Sequence, residues 1–136
     1  MKKIFTTGYT DWAFNIATLV MRVVSGAILF FNHGIPKFNK YPELKYIFFD
    51  PFHIGHKWSL TLVLFAELIC SLLLVIGLFS RLSAFIITVN LGVAVFLFHR
   101  GQPIAQYEIA IVYLMSFFSI LLLGPGKYSV DAAMGR

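Results

Sequence analysis

The chain has 136 residues, 59% hydrophobic and 12% charged, with eleven Lys and Arg against six Asp and Glu for a net charge of +5. Soluble domains carry about 25% charged residues, so the composition excludes an ordinary soluble fold and predicts a single integral membrane domain over residues 1–136. The lone cysteine, Cys70, excludes an intramolecular disulfide or a CxxC redox pair, and basic residues scattered among apolar runs favour anionic lipid over nucleic acid.

No cleavable signal peptide is expected, because the first apolar run starts only after Asp11 and Trp12 and is long enough to span. Four apolar stretches predict four transmembrane helices, since each crossing takes about 20 residues. The first covers roughly 14–33 and is expected to break at Gly34 and Pro36. The second covers roughly 59–79, and only Ser80 and Arg81 separate it from the third, at roughly 82–98. After the turn at His99–Pro103, the fourth covers roughly 105–123 and stops at Gly124-Pro125-Gly126. The predicted fold class is an all-α membrane protein, an up-down four-helix bundle.

The first two spans are joined by the long segment from Gly34 to Lys57, which mixes Tyr41, Tyr46, Phe48, Phe49 and Phe52 with Lys and Pro, and Trp58 follows directly after it. That mixture predicts an interfacial segment at headgroup depth. Up-down connectivity places both termini and Arg81 on one face. Lys2, Lys3, Arg81, Lys127 and Arg136 there balance Lys37, Lys40, Lys45, Lys57 and Arg100 on the loop face, so loop charge does not orient the chain. A weak internal repeat relates Gly26 and Phe30–His33 to Gly92 and Phe96–His99.

A charge at the centre of a spanning helix costs about 2.5–3.5 kcal/mol even on insertion scales and needs a partner. Arg22 and Glu67 each lie about 12 Å from opposite ends of their predicted spans, so an Arg22–Glu67 ion pair is the most economical way to house both. Its role is structural or functional with equal plausibility. Towards the loop face a second group gathers. Gly26 and His33 share the Arg22 stripe, and Lys37 follows if the helix survives Gly34. His99 closes the third span and Glu108 opens the fourth. Three readings compete for this group: a quinone head-group pocket in which His and Glu move protons, a metal or haem site, and a bland headgroup-facing set. His53-Ile54-Gly55-His56 has plausible metal spacing, but no two histidines stand at i and i+4 on one helix. Asn90 is expected to hydrogen-bond a neighbouring helix.

Arg22 with Ser25-Gly26, Phe30, His33-Gly34, Lys37-Phe38, Glu67, Gly77, Arg81, His99, Glu108 and the closing Gly124-Pro125-Gly126-Lys127-Tyr128-Ser129-Val130-Asp131 together resemble the DoxX family of small four-helix membrane proteins, over nearly the whole chain. The resemblance implies an inner-membrane location with cytoplasmic termini. It also implies kinship with membrane subunits of quinone-linked oxidoreductases, with a soluble oxidoreductase subunit as partner. The combined expectation is a membrane subunit whose pocket of Gly26, His33, Lys37, His99 and Glu108 takes a quinone head under the cover of the aromatic segment. The alternatives are a non-enzymatic scaffold that binds a soluble partner through residues 34–57, or a small transporter that needs homo-oligomerisation to wall a pore.

Overall fold

A computed structural model describes residues 2–135. Arg136 and the side chains of Lys2 and Lys3, counted above among the terminal-face charges, lie outside the described residues.

The Thr10 hydroxyl accepts a hydrogen bond from Ala13 N at 3.2 Å, and Asp11 occupies the first turn, where a carboxylate favours the helix N-terminus. Helix α1 therefore runs Asp11–Asn39. It begins before the apolar run and passes straight through the predicted break. The reason is a π-helical turn over Phe30–Gly34, in which Ile35 N donates to Phe30 O five residues back. The widened turn leaves room for the Pro36 ring in the first turn of the α-helical stretch that follows, where its missing N–H is least felt.

Helix α2, His56–Ile76, carries a second π turn over Phe65–Cys70. It ends at Gly77, whose φ of +80° suits a residue without Cβ, with Gly77 N and Leu78 N both bonded to Leu73 O at 2.9 Å. The link to α3, Ser80–Phe98, is thus Gly77–Phe79 rather than Ser80-Arg81, which already belong to α3. A third π turn, Ala94–Phe98, leads α3 into His99. In the repeated motif, the first and third helices thus both turn π just before or at their histidine.

The fourth element, α4, is Glu108–Leu123, 16 residues, preceded by a 3-10 turn over Ile104–Gln106. At 1.5 Å per residue it is about 24 Å long against a hydrocarbon core of about 30 Å. The chain is all-helical, with no strand among the described residues, and three helices, α1 to α3, are long and apolar enough to cross a membrane; α4 is apolar but shorter. Both α1 and α3 pack against α2 and α4. Leu29, Leu74, Ile87, Leu91, Leu114 and Phe117 form the core between them. Val20, Leu72, Phe85 and Val112 face outward, so the outer surface is as apolar as the interior, as a lipid-facing surface requires.

Two glycines let α1 and α2 approach. A Cβ on Gly26 would stand 2.8 Å from Val75 Cγ2 and 3.1 Å from Ser71 O; one on Gly34 would stand 2.6 Å from Leu68 Cδ2 and 3.0 Å from Glu67 O. The repeat-related Gly92 has nothing within 4 Å of the same position. Gly26→Ala is therefore expected to destabilise by about 1–3 kcal/mol through overpacking. Gly92→Ala should be neutral or gain up to about 1 kcal/mol of helix propensity. Denaturant titration of the two variants in detergent checks the contrast, and equal effects would contradict the packing.

Candidate intramembrane site

Glu67 sits in the π turn of α2 with its side chain only 5% exposed. Its partner is Lys37, whose Nζ lies 2.8 Å from both carboxylate oxygens. Lys37 is available only because α1 continues past Gly34, which brings its 28% exposed side chain down beside α2. Asn90 of α3 points its amide at the same carboxylate, Nδ2 to Oε1 at 3.5 Å, so the interhelical role expected for it falls on Glu67. His33, one turn before Lys37, packs edge-on against Tyr113 of α4 at 5.3 Å. All four helices thus deliver one polar side chain or more to this point.

The polar cluster ends an apolar groove of about 980 Å³. The segment after α1 folds over its mouth, the cover expected of it. Phe48, Phe49, Pro51 and Phe52 line the groove, and the Phe49 ring meets Phe98 of α3 at 5.2 Å. The segment is pinned by its backbone: the Phe49 carbonyl accepts from Ser59 Oγ at 2.7 Å, and the Phe48 carbonyl meets His56 Nδ1. Asp50 accepts from Gly55 N at 2.7 Å and Ile54 N at 3.1 Å. His99 stands near the mouth, stacked on Tyr107 at 5.2 Å with Nδ1 2.8 Å from Gln102 Oε1, and exposed Glu108 lines the rim.

Of the residues singled out in the sequence, His33, Lys37, Glu67, His99 and Glu108 all line the groove. Gly26 does not; it serves the α1–α2 contact. The expected Arg22–Glu67 pair is also absent. Gly34 faces Glu67 across the helix pair, which puts Glu67 twelve residues up α1 from Arg22, about 18 Å along the axis. The depth estimate failed because α1 overruns its predicted end by six residues, to Asn39, so the two helices are offset.

Arg22, 1% exposed, instead holds the chain that follows α4. Its guanidinium donates to Pro125 O and, at 2.7 Å, to Tyr128 O. Asp131 in the same segment acts on it electrostatically. Asp131 also caps α3, accepting from Phe79 N at 2.9 Å and Ser80 N at 2.8 Å, while Asp131 N bonds Gly77 O at 2.8 Å. Gly126, at φ +79°, rests on Thr18, and Lys127 N donates to Asn15 Oδ1 at 2.9 Å. The Gly-Pro-Gly segment is thus a clasp across the terminal end of the bundle.

The weak metal candidates His53 and His56 are exposed, and His56 is engaged with the Phe48 carbonyl. Among the described residues no three of His, Cys, Asp and Glu group closely enough to hold a metal ion. Sequence reasoning missed Tyr113 as a wall of the site; the available signal was a phenol inside an otherwise apolar span. It also missed Asp131 as a cap, because the helix it caps starts 51 residues earlier in the chain, at Ser80.

These features define an all-helical, multi-pass membrane protein with a buried carboxylate paired to a half-buried lysine at the end of an apolar groove. The DoxX family model matches residues 17–100, well over half of the chain, and the chain belongs to the DoxX family. The match takes in Arg22, His33, Lys37, Glu67 and His99 but stops short of Glu108 and the terminal clasp. Two relatives are uncharacterized proteins of Haemophilus influenzae. One is 36% identical over 72 residues, 48% of this chain and 54% of the relative. The other is 28% identical over 117 residues, 79% of this chain and 76% of the relative. The chain thus spans about half the length of the first relative. No solved structure matches the chain significantly.

Proposed function

We propose that the chain is an inner-membrane bundle of four spans, with cytoplasmic termini, that serves as the membrane subunit of a quinone-linked redox complex. Helix α4 completes its crossing together with the 3-10 turn before it. The observation that carries the reading is the Lys37–Glu67 pair, its carboxylate buried and its ammonium half-buried, at the inner end of a groove of about 980 Å³ walled by Leu, Ile, Val and Phe. Ligand sites of this kind hold about 300–1,000 Å³, mostly apolar, with a few convergent polar groups.

The donor set suits a quinone head. A bound quinone supplies two-electron, two-proton redox chemistry. Lys37 Nζ and Asn90 Nδ2 are the donors within reach of a carbonyl oxygen at this end of the groove, and Glu67 is the carboxylate that holds or releases a proton beside it. His33 and Tyr113 line the groove beside them, and the aromatic segment over the mouth keeps bulk water from the head. The redox partner in this reading is a soluble oxidoreductase subunit, and the lone Cys70 excludes a CxxC pair within the chain as the carrier.

Titration of the purified chain with a decyl-tailed benzoquinone tests this. Asn90→Leu and Glu67→Gln are expected to weaken binding about tenfold or more, the worth of a lost hydrogen bond to a charged or buried group. Glu108→Gln, at the rim, should leave it unchanged. Undiminished affinity in both Asn90→Leu and Glu67→Gln would remove the site.

A further inference from the structure

Away from the polar cluster the groove reaches the outer surface of the bundle. Its walls include Leu62 and Phe65 of α2 and Phe85 and Val89 of α3, each between 43% and 60% exposed on the outer surface of the bundle. These four residues lie on helices long and apolar enough to cross a membrane, so what they face there is hydrocarbon. Glu67 and Asn90, at the inner end, come from the same two helices, and the carboxylate is almost wholly shielded. A continuous path therefore joins the lipid-facing seam between α2 and α3 to the charged pair, while the water-facing mouth is roofed by Phe48, Phe49 and their neighbours.

We propose that the seam between α2 and α3 is the entrance and the tail subsite of this pocket: its ligand is a membrane-dissolved amphiphile that enters sideways, its head reaching Lys37 and Glu67 and its hydrocarbon tail lying along Leu62, Phe65, Phe85 and Val89. The proposal rests on the quinone reading for the head group and adds the tail and the route. Two observations favour a tail over a bulk-lipid contact. The seam is concave and continuous with the polar end. Elsewhere the outer surface offers comparable exposed side chains, such as Leu72, that line no groove.

The test uses the whole chain in nanodiscs and two probes with the same dimethoxy-methylbenzoquinone head, one without a tail and one with a decyl tail. Val89→Trp, and independently Leu62→Trp from the opposite wall, fill the seam at exposed positions where the fold tolerates bulk. Each is expected to weaken the decyl probe about tenfold and to leave the tail-less probe within about twofold. Leu72→Trp should change neither. If the seam variants leave the decyl probe unaffected, or weaken both probes equally, the entrance is overturned while the head-group site stands. If the unaltered chain binds neither probe, the quinone reading fails and the entrance fails with it.

Discussion

Replacing Arg22 with methionine is expected to cost about 3–5 kcal/mol of stability, the range for breaking a buried charged contact by removing one partner. The variant leaves the carbonyls of Pro125 and Tyr128 without a donor and removes the cation opposite Asp131. The guanidinium bonds through its two terminal nitrogens while its Nε has no partner, so the forked geometry of those two donors carries the contact. Arg22→Lys should therefore recover less than half of the loss, because one ammonium cannot reproduce a planar fork. The released clasp exposes its backbone, and trypsin should cut after Lys127 faster in Arg22→Met than in the parent. Unfolding in detergent and limited proteolysis read the two effects separately. The clasp also ties α2 to α3 through the Asp131 cap, so Asp131→Asn should reproduce part of the loss.

The same residue separates the sequence-based expectation from the structure. An Arg22–Glu67 pair predicts strong coupling between substitutions at the two sites. At about 18 Å along the axis the two should instead be additive within about 0.5 kcal/mol in a double-mutant cycle.

What was legible in the sequence, and what was not, follows from the range of each signal. Apolar run length located α2, α3 and the part of α1 up to His33, because the cost of lipid-exposed polar backbone acts residue by residue. Buried charge identified Arg22 and Glu67 as the residues that need partners, and both are indeed buried. Their partners were not legible. Those of Arg22 are mainly backbone carbonyls, which any sequence supplies, in a segment 103 and 106 residues away. That of Glu67 depends on α1 outlasting Gly34 and Pro36, and a Pro is read as a stop unless the π turn before it is known. All three π turns escaped detection, since the five-residue hydrogen bond leaves no compositional mark. The aromatic segment was expected to cover the pocket, and Phe48, Phe49 and Phe52 line the groove; the backbone bonds that hold it there, such as Ser59 Oγ to Phe49 O, were not legible.

The Lys37–Glu67 pair should respond asymmetrically to loss of either partner. Glu67 is 5% exposed and its short carboxylate cannot reach water, so Lys37→Met strands an anion and should cost about 3–5 kcal/mol. In Glu67→Gln the remaining ammonium sits on a flexible four-carbon stem, 28% exposed, near the end of α1. It can turn towards the loop face, and the loss should be nearer about 1–2 kcal/mol. The Lys37→Met/Glu67→Gln double variant removes both charges and should recover about 2–3 kcal/mol relative to the sum of the single losses. Affinity should behave differently from stability. The double variant is stable yet lacks both the donor and the carboxylate, so it should bind the decyl-tailed benzoquinone no better than Glu67→Gln alone. Stability measured by denaturant titration and affinity measured by quinone titration on the same four proteins give the two patterns. If affinity recovers in step with stability, the pair is a strut between α1 and α2 and the head group binds elsewhere.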